Sequence, residues 1–365
     1  MRPQSVLFAC VVGVVSLGIS VDAAAGAGDR DGALQPNEAH DGTPEPTRYR
    51  IAWDWPDEAV TYDLVRTTVD TIPVPGKDPV VEQTIARRVS HRRGGTPGNG
   101  GEAGPGTDAV PVRVTWETIR FDRNDSLNTP LVYDSTIEGH WTRARHPLIG
   151  GVAASLGQSV VFDIAPDGSV VSVREIEAFL RGIERNLTRW NLADERTYER
   201  LQAAYTPRAL AQSADGTYAF LPDRPLAVGE SYTVERPITF EHVRTLVTEE
   251  IHTLEAIDEE DDGARVARFG IGGTVRWPDP GGARGQMFNV SLDKVSLGGA
   301  WSFDLDRGVV RSYVLRVGFL SDIVRFDPRD GSSTETSTDQ KLTDRMTLVK
   351  TPDPDRAPKS GYPEP

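Results

Sequence analysis

Along much of the chain, apolar and polar residues alternate one by one. Val112, Val114 and Trp116 alternate with Arg113, Thr115 and Glu117, and Val160, Phe162 and Ile164 flank Asp163 in the same way. Trp301, Phe303 and Leu305 alternate with Ser302, Asp304 and Asp306, and Tyr313, Leu315, Val317 and Phe319 extend the pattern against Ser312 and Arg316. A period of two sends successive side chains to opposite faces of an extended backbone, so these segments predict one-faced strands of antiparallel sheets. One stretch breaks the period. Ile176, Phe179, Leu180, Ile183, Leu187 and Trp190 recur at helical spacing with Glu and Arg between them, which predicts an amphipathic helix on a sheet face. A narrower stripe of Tyr198, Leu201 and Tyr205 predicts a second helix over 194–205, ended by Pro207.

The chain also echoes itself. Residues 155–172 (Ser-Leu-Gly-Gln-Ser-Val-Val-Phe-Asp-Ile-Ala-Pro-Asp-Gly-Ser-Val-Val-Ser) match 296–312 (Ser-Leu-Gly-Gly-Ala-Trp-Ser-Phe-Asp-Leu-Asp-Arg-Gly-Val-Val-Arg-Ser) once one-residue gaps align Phe-Asp, the turn Gly, the Val pair and the Ser. Each copy reads as strand, tight turn at Gly168 or Gly308, strand, because glycine accepts the positive φ of a hairpin turn. The spacing between copies is too long for a solenoid and suits two similar β lobes. The expected fold is therefore mainly β, with antiparallel sheets in two similar lobes and a short helical segment between them.

The ends read differently. Arg2, the apolar run Val6–Ile19 and Ala23-Ala24-Ala25 form the pattern of a secretory signal, and the run is too short for a membrane span. Cys10, the only cysteine, lies inside it, so the exported chain is expected to contain none and to rely on burial for stability. The expected organisation is a signal peptide over 1–25, a disordered leader over 26–47, a first β lobe over 48–171 with a flexible Gly-rich loop at 94–108, a helical connector over 172–210, a second β lobe over 211–350 and a disordered tail over 351–365. A formal net charge of -14 leaves no basic face of the size that phosphate neutralisation needs, which excludes nucleic acid as the expected partner. No later apolar run is long enough for a transmembrane segment.

Candidate chemistry is sparse. Ser155, in Ala153-Ala154-Ser155-Leu156-Gly157, imitates a nucleophile elbow, but a strand follows it where an elbow needs a helix. Asp258-Glu259-Glu260-Asp261-Asp262-Gly263 begins like a calcium loop, yet position twelve is Phe269 and not a closing carboxylate, so an acidic hairpin turn is expected. Gly270-Ile271-Gly272-Gly273 lacks the strand-then-helix setting of a dinucleotide loop. His40 falls in the leader and His91 in the run from Arg87 to Asp108, which reads as a long mobile loop between strands with its Gly-rich part at 94–108, and His140, His146, His242 and His252 have no spacing that converges on a metal. Arg87, Arg88, Arg92 and Arg93 form a basic cluster that suits either a solvated loop flank or an anionic surface such as lipid headgroups. Trp116, Phe162 and Trp301, on apolar strand faces, are the candidate lining of a ligand cavity between a curved sheet and the helix.

Tyr133-Asp134-Ser135, the hairpin from Phe162-Asp163 to Gly168, Leu221-Pro222 followed by Pro225-Leu226-Ala227-Val228-Gly229-Glu230-Ser231-Tyr232, and the hairpin from Phe303-Asp304 to Gly308 together resemble a family of secreted bacterial β proteins described only as a domain of unknown function. The resemblance spans about Tyr49 to Lys350 and rests on turns and strand starts, so it implies a fold and carries over no catalytic residue. In architecture alone the chain is similar to periplasmic lipoprotein carriers, whose curved half-barrel cups an acyl chain against a helix. The expected function is a secreted, non-catalytic extracytoplasmic protein, periplasmic or extracellular, that binds a partner or associates peripherally with the envelope. No catalytic residue, metal or cofactor is expected. Two alternatives stand beside it: a carrier of a lipid or other amphiphile, and a hydrolase whose carboxylate pair comes from distant segments and leaves no local signature.

Overall fold

Among the described residues, twelve strands, all paired antiparallel, form one sheet. The computed structural model describes residues 46–71, 79–94, 108–126, 128–192, 199, 201–202, 205–240, 244–261, 263–277, 288–326 and 332–349. The expected signal peptide, nearly all of the leader, loop residues 95–107 and the tail lie outside the described residues, as does most of the expected helix over 194–205. The strands are β1 (Val60–Thr71), β2 (Val80–Arg93), β3 (Val110–Asp125), β4 (Leu131–Asp134), β5 (Ser159–Ile164), β6 (Val170–Arg174), β7 (Ser231–Phe240), β8 (Arg244–Glu259), β9 (Arg265–Arg276), β10 (Phe288–Asp304), β11 (Val309–Phe326) and β12 (Ser333–Val349). Helices α1 (Pro147–Ala153), α2 (Ile176–Arg189) and α3 (Pro207–Tyr218) lie in the connections on either side of β5 and β6.

The mainly antiparallel reading is correct, but there is one sheet. Its order is β6-β5-β3-β2-β1-β12-β11-β10-β9-β8-β7, with β4 added against β3. The first and last described strands pair with each other at the centre, where Thr61 to Thr71 of β1 run antiparallel to Val349 to Asp339 of β12. The two halves are thus welded through their first and last strands, and the expected separate sheets of two lobes give way to a continuous one. The echoed hairpins take different places in it: β5 and β6 end one side, whereas β10 and β11 lie inside the other.

The sheet curls. At the edge strand β6, the Val170 amide donates to Asp215 Oδ1 at 2.7 Å, while at the opposite edge Arg236 of β7 donates to the carbonyl of Gly216 at 2.9 Å. Residues 215 and 216 are neighbours in α3, so the two edges approach one helix, and α3 stands in the gap of an almost closed barrel. The right-handed twist of a long antiparallel sheet favours such curling.

Two details differ from expectation for stated reasons. Pro207 begins a further helix that was not expected: it sits at the first turn of α3, where its missing N–H costs nothing, and Thr206 Oγ1 accepts from the Ala209 amide at 3.1 Å. Residues Arg87 to Arg93, expected as the start of a mobile loop, continue β2, because Arg87, Val89 and His91 keep the inward register. His91 is therefore a buried strand residue, 1% exposed, and not a loop histidine. Helix α2 follows its sequence pattern, burying Phe179, Ile183 and Leu187, and Asn186 Nδ2 pins it by donating to the carbonyls of Ala154 and Leu156.

Candidate functional site

The inward register places Tyr62, Arg66 and Asp70 of β1 on the same face as Arg87 and His91 of β2, Asp344 and Met346 of β12, Tyr313 of β11 and Trp301 of β10. Toward the hairpin end this face is a packed aromatic core. Trp53 and Trp55 stack at 4.6 Å, Trp55 stacks on the His91 ring at 5.3 Å, and His91 Nε2 meets the Tyr218 hydroxyl at 2.5 Å. Burial holds the His91 imidazole down to about 4, so it is neutral at physiological pH.

A second buried polar cluster joins β7, β8, β10 and β11. Arg236 forks onto Glu250, with Nη2 to Oε2 at 2.6 Å, and also donates to the Tyr313 hydroxyl. The Trp301 indole N–H donates to His252 Nδ1 at 2.9 Å; since indole nitrogen only donates, the His252 proton sits on Nε2, which faces Glu250 Oε2 at 3.1 Å. Burial would push the Glu250 carboxyl up, but Arg236 outweighs it and holds the group below the usual carboxylate range. Burial lowers His252, with Glu250 opposing. Glu250 and His252 are both 0% exposed, so this cluster offers no surface to a substrate and acts as a pin between strands.

The mid-sheet region is different. On the inward face of β1, Tyr62 and Asp70 are 0% and 5% exposed, yet the Arg66 side chain between them is 41% accessible and its partner Asp344 is 24% accessible. A central strand of a curled sheet can present an accessible inward side chain only where the interior is hollow. Arg66 and Asp344 pair bidentately there, Nε to Oδ1 at 2.7 Å and Nη2 to Oδ2 at 2.6 Å. Arg87 lies within electrostatic reach of both, and burial lowers its guanidinium to about 10. Its Nε is buried without a hydrogen-bond partner, and among the described residues it forms no ion pair. The Tyr205 hydroxyl, also within its electrostatic reach, is buried without a partner and is pushed up to about 12 by burial. The hollow has an aromatic wall: Phe179 meets Tyr205 edge-on at 5.2 Å, and Trp116 lies 5.3 Å from Phe179.

Of the three cavity candidates from sequence, Trp116 is partly buried beside this hollow. Phe162 is 4% exposed in the core on β5 and Trp301 is 2% exposed on β10, stacked on Phe269 at 3.9 Å; six strand steps along the sheet separate them. Arg66, Asp344, Glu250 and Arg236 were missed, although each is a charge that shares the inward register of its strand with large apolar residues such as Tyr62, Met346, Leu254 and Ile238.

The basic cluster divides. Arg87 turns inward, Arg88 pairs outward with Asp63 at 2.8 Å, and Arg92 and Arg93 join Arg113, Asp57 and Gly94 around a cavity of about 440 Å³ at the strand ends. Arg92 and Arg113 are directly opposed across the β2–β3 ladder. Arg113 is occupied by Glu175 at 2.6 Å and Arg93 faces Asp57 at 3.9 Å, while Arg92 has no partner among the described residues.

The remaining motifs resolve simply. Ser155 is buried, and its hydroxyl donates to the Val152 carbonyl. The acidic run around Glu260 is the β8–β9 turn, with Asp258 and Glu260 held by Arg268 and Arg311. His140 Nδ1 accepts from the Asp134 amide at 3.1 Å, and His40 and His242 lie outside the described residues.

No family model and no curated protein matches the chain. Among solved structures, one titled for lipid-protein interactions in lipovitellin is 6% identical over 81% of this chain, at a TM-score of 0.35, and the chain spans 25% of its length. DynF, from the dynemicin biosynthesis pathway of Micromonospora chersina, is 9% identical over 89% of this chain and 96% of its own, at a TM-score of 0.17.

Proposed function

We propose that this is an exported, non-catalytic binding protein of the cell envelope that takes an amphiphile into the hollow of its curled sheet. The observation behind this reading is the accessible Arg66–Asp344 pair on the inward face of the central strands, with apolar and aromatic groups around it. Ligand sites commonly combine such a mostly apolar wall with a few convergent polar groups. Envelope association draws on Arg92, which has no partner among the described residues and lines the cavity at the strand ends beside the paired Arg93 and Arg113.

Native mass spectrometry of protein purified from its own envelope, followed by solvent extraction, tests the binding reading. A co-purified amphiphile is expected; a ligand-free chain that also fails to take up dodecanoate or dodecanol in solution overturns it. Export is checked by amino-terminal sequencing of the envelope material, which is expected to start near Gly26, and a chain that retains Cys10 contradicts it.

A further inference from the structure

Arg87 reaches the hollow without a counter-charge of its own among the described residues. Asp344 is fully engaged by Arg66 through two hydrogen bonds, and Glu250 is engaged by Arg236 and His252. Arg87 is left as a guanidinium without an ion pair among the described residues, with its Nε shielded from water and unbonded. Nearby, the Tyr205 side chain is 2% exposed and its O–H bonds to nothing. A buried charge or hydroxyl without a partner is unfavourable, and buried donors in native proteins are nearly always matched by an acceptor. Arg87 Nε can only donate and the Tyr205 hydroxyl has a proton to give, so an acceptor that reached both would satisfy the two together.

We infer that Arg87 and Tyr205 form the binding site for the anionic head group, a carboxylate or phosphate, of a ligand held inside the curled sheet. This rests on the hollow described above being a ligand site and adds the charge of the ligand. A guanidinium presents a planar fork that fits two oxygens of a carboxylate or phosphate, and the phenol O–H supplies a further donor. Arg66 stands beside the fork but is held by Asp344, so it shapes the field without being free to bind. Phe179 and Trp116 continue from Tyr205 as an apolar wall, which is where the ligand's hydrocarbon portion lies against the protein.

Calorimetry on the full exported chain with dodecanoate, dodecyl phosphate, dodecanol and inorganic phosphate tests this. In the wild type the two charged amphiphiles are expected to bind about 10-fold or more tighter than the alcohol, the usual return on a charge-assisted hydrogen bond. Arg87→Met is expected to abolish that preference, and Tyr205→Phe to reduce it. Because Arg87→Met removes an uncompensated buried charge, the ligand-free variant should melt no lower than the wild type. A strictly structural arginine would show the reverse: a lower melting temperature and an unchanged preference for the acid. Equal binding of dodecanoate and dodecanol by the wild type overturns the anion site while leaving the amphiphile reading intact. Arg87-dependent binding of inorganic phosphate without binding of any dodecyl compound supports the anion site and removes the amphiphile reading. No binding of any probe overturns both.

Discussion

The Asp54 amide donates to the carbonyl of Gly308 at 2.9 Å, one residue after the Trp53 amide donates to the carbonyl of Pro166 at 2.9 Å. The turns of the two echoed hairpins therefore grip the same dipeptide from opposite halves of the sheet. The echo consequently has a structural meaning even though its hairpins occupy unequal places in the strand order. Both turn glycines have positive φ, 90° at Gly168 and 67° at Gly308.

Alanine at either glycine should be costly for two reasons. An added Cβ would stand 1.8 Å from the Tyr218 carbonyl oxygen at Gly168, or 2.4 Å from the Asp54 Cβ at Gly308, and both backbones are left-handed. Left-handed strain plus overpacking predicts about 2–4 kcal/mol of destabilisation for each. Gly216→Ala is the control, since nothing lies within 4 Å of its added Cβ and helix α3 should gain about 0.5–1 kcal/mol. Urea unfolding of the three variants measures this; equal midpoints for Gly216→Ala and Gly308→Ala contradict the clasp.

His91 makes stability depend on pH. Its folded pKa is about 4 against 6.5 for the free side chain, so below 6.5 the unfolded chain binds more protons than the folded one. Stability should therefore be full above about pH 6.5 and fall as pH drops toward 4, by up to about 3 kcal/mol from this residue. His252, also lowered by burial, adds to the same trend. His91→Phe keeps a ring against Trp55 and removes the titration, so its urea midpoint should change less between pH 7 and 4.5 than that of the wild type. An unchanged pH dependence counts against this assignment.

The alternation of Tyr313, Leu315, Val317 and Phe319 was enough to read β11 and its buried face, and the stripe from Ile176 to Leu187 was enough for α2. The single sheet was not legible, because it depends on β1 pairing with β12 across the whole chain and no local pattern encodes that partner. Helix α3 was hidden by Pro207, which reads equally as a stop or a first turn until Thr206 is seen to cap it. Arg87 was legible only as charge; its inward turn depends on β2 continuing past a point where four arginines and a Gly-rich run suggested a loop. Glu250 and His252 share one face of β8 with Leu246, Thr248 and Leu254, a register that places them inside, yet only the fold shows Arg236 arriving from β7 to meet them.

That arrival sets a second stability test. Glu250→Gln leaves Arg236, 9% exposed, without its counter-charge and is expected to cost about 3–5 kcal/mol. Tyr313→Phe removes one acceptor while Glu250 remains, so it should cost only about 1 kcal/mol. The double change Arg236→Met with Glu250→Leu removes both charges and should recover most of the loss. Denaturant titration of the set decides it; a double variant no more stable than Glu250→Gln would show that the pair stabilises beyond mutual compensation.

The matched Phe-Asp positions of the echo allow one comparison within the same molecule. Asp163 accepts from Ser172 Oγ and from Arg174 at 2.6 Å, and it is 8% exposed. Asp304 is 0% exposed and accepts four hydrogen bonds, from the amides of Asp306 at 3.1 Å and Arg307 at 2.9 Å and from Arg311 Nε at 3.0 Å and Nη2 at 2.8 Å. Replacing either carboxylate with an amide removes a charge and turns half of its acceptors into donors. At Asp304 every one of those atoms faces a donor, so Asp304→Asn should cost about 3–5 kcal/mol, whereas Asp163→Asn, nearer water and with fewer partners, should cost about 1–2 kcal/mol. The Asp304 variant should also loosen the Gly308 turn, because the Gly308 amide donates to the Asp304 carbonyl at 2.9 Å and the same turn holds Asp54. Hydrogen exchange at the Asp54 amide is the direct readout. Faster exchange there in Asp304→Asn and not in Asp163→Asn is the expected result, and equal exchange in both variants would show that the two turns hold the segment independently of the carboxylates beneath them.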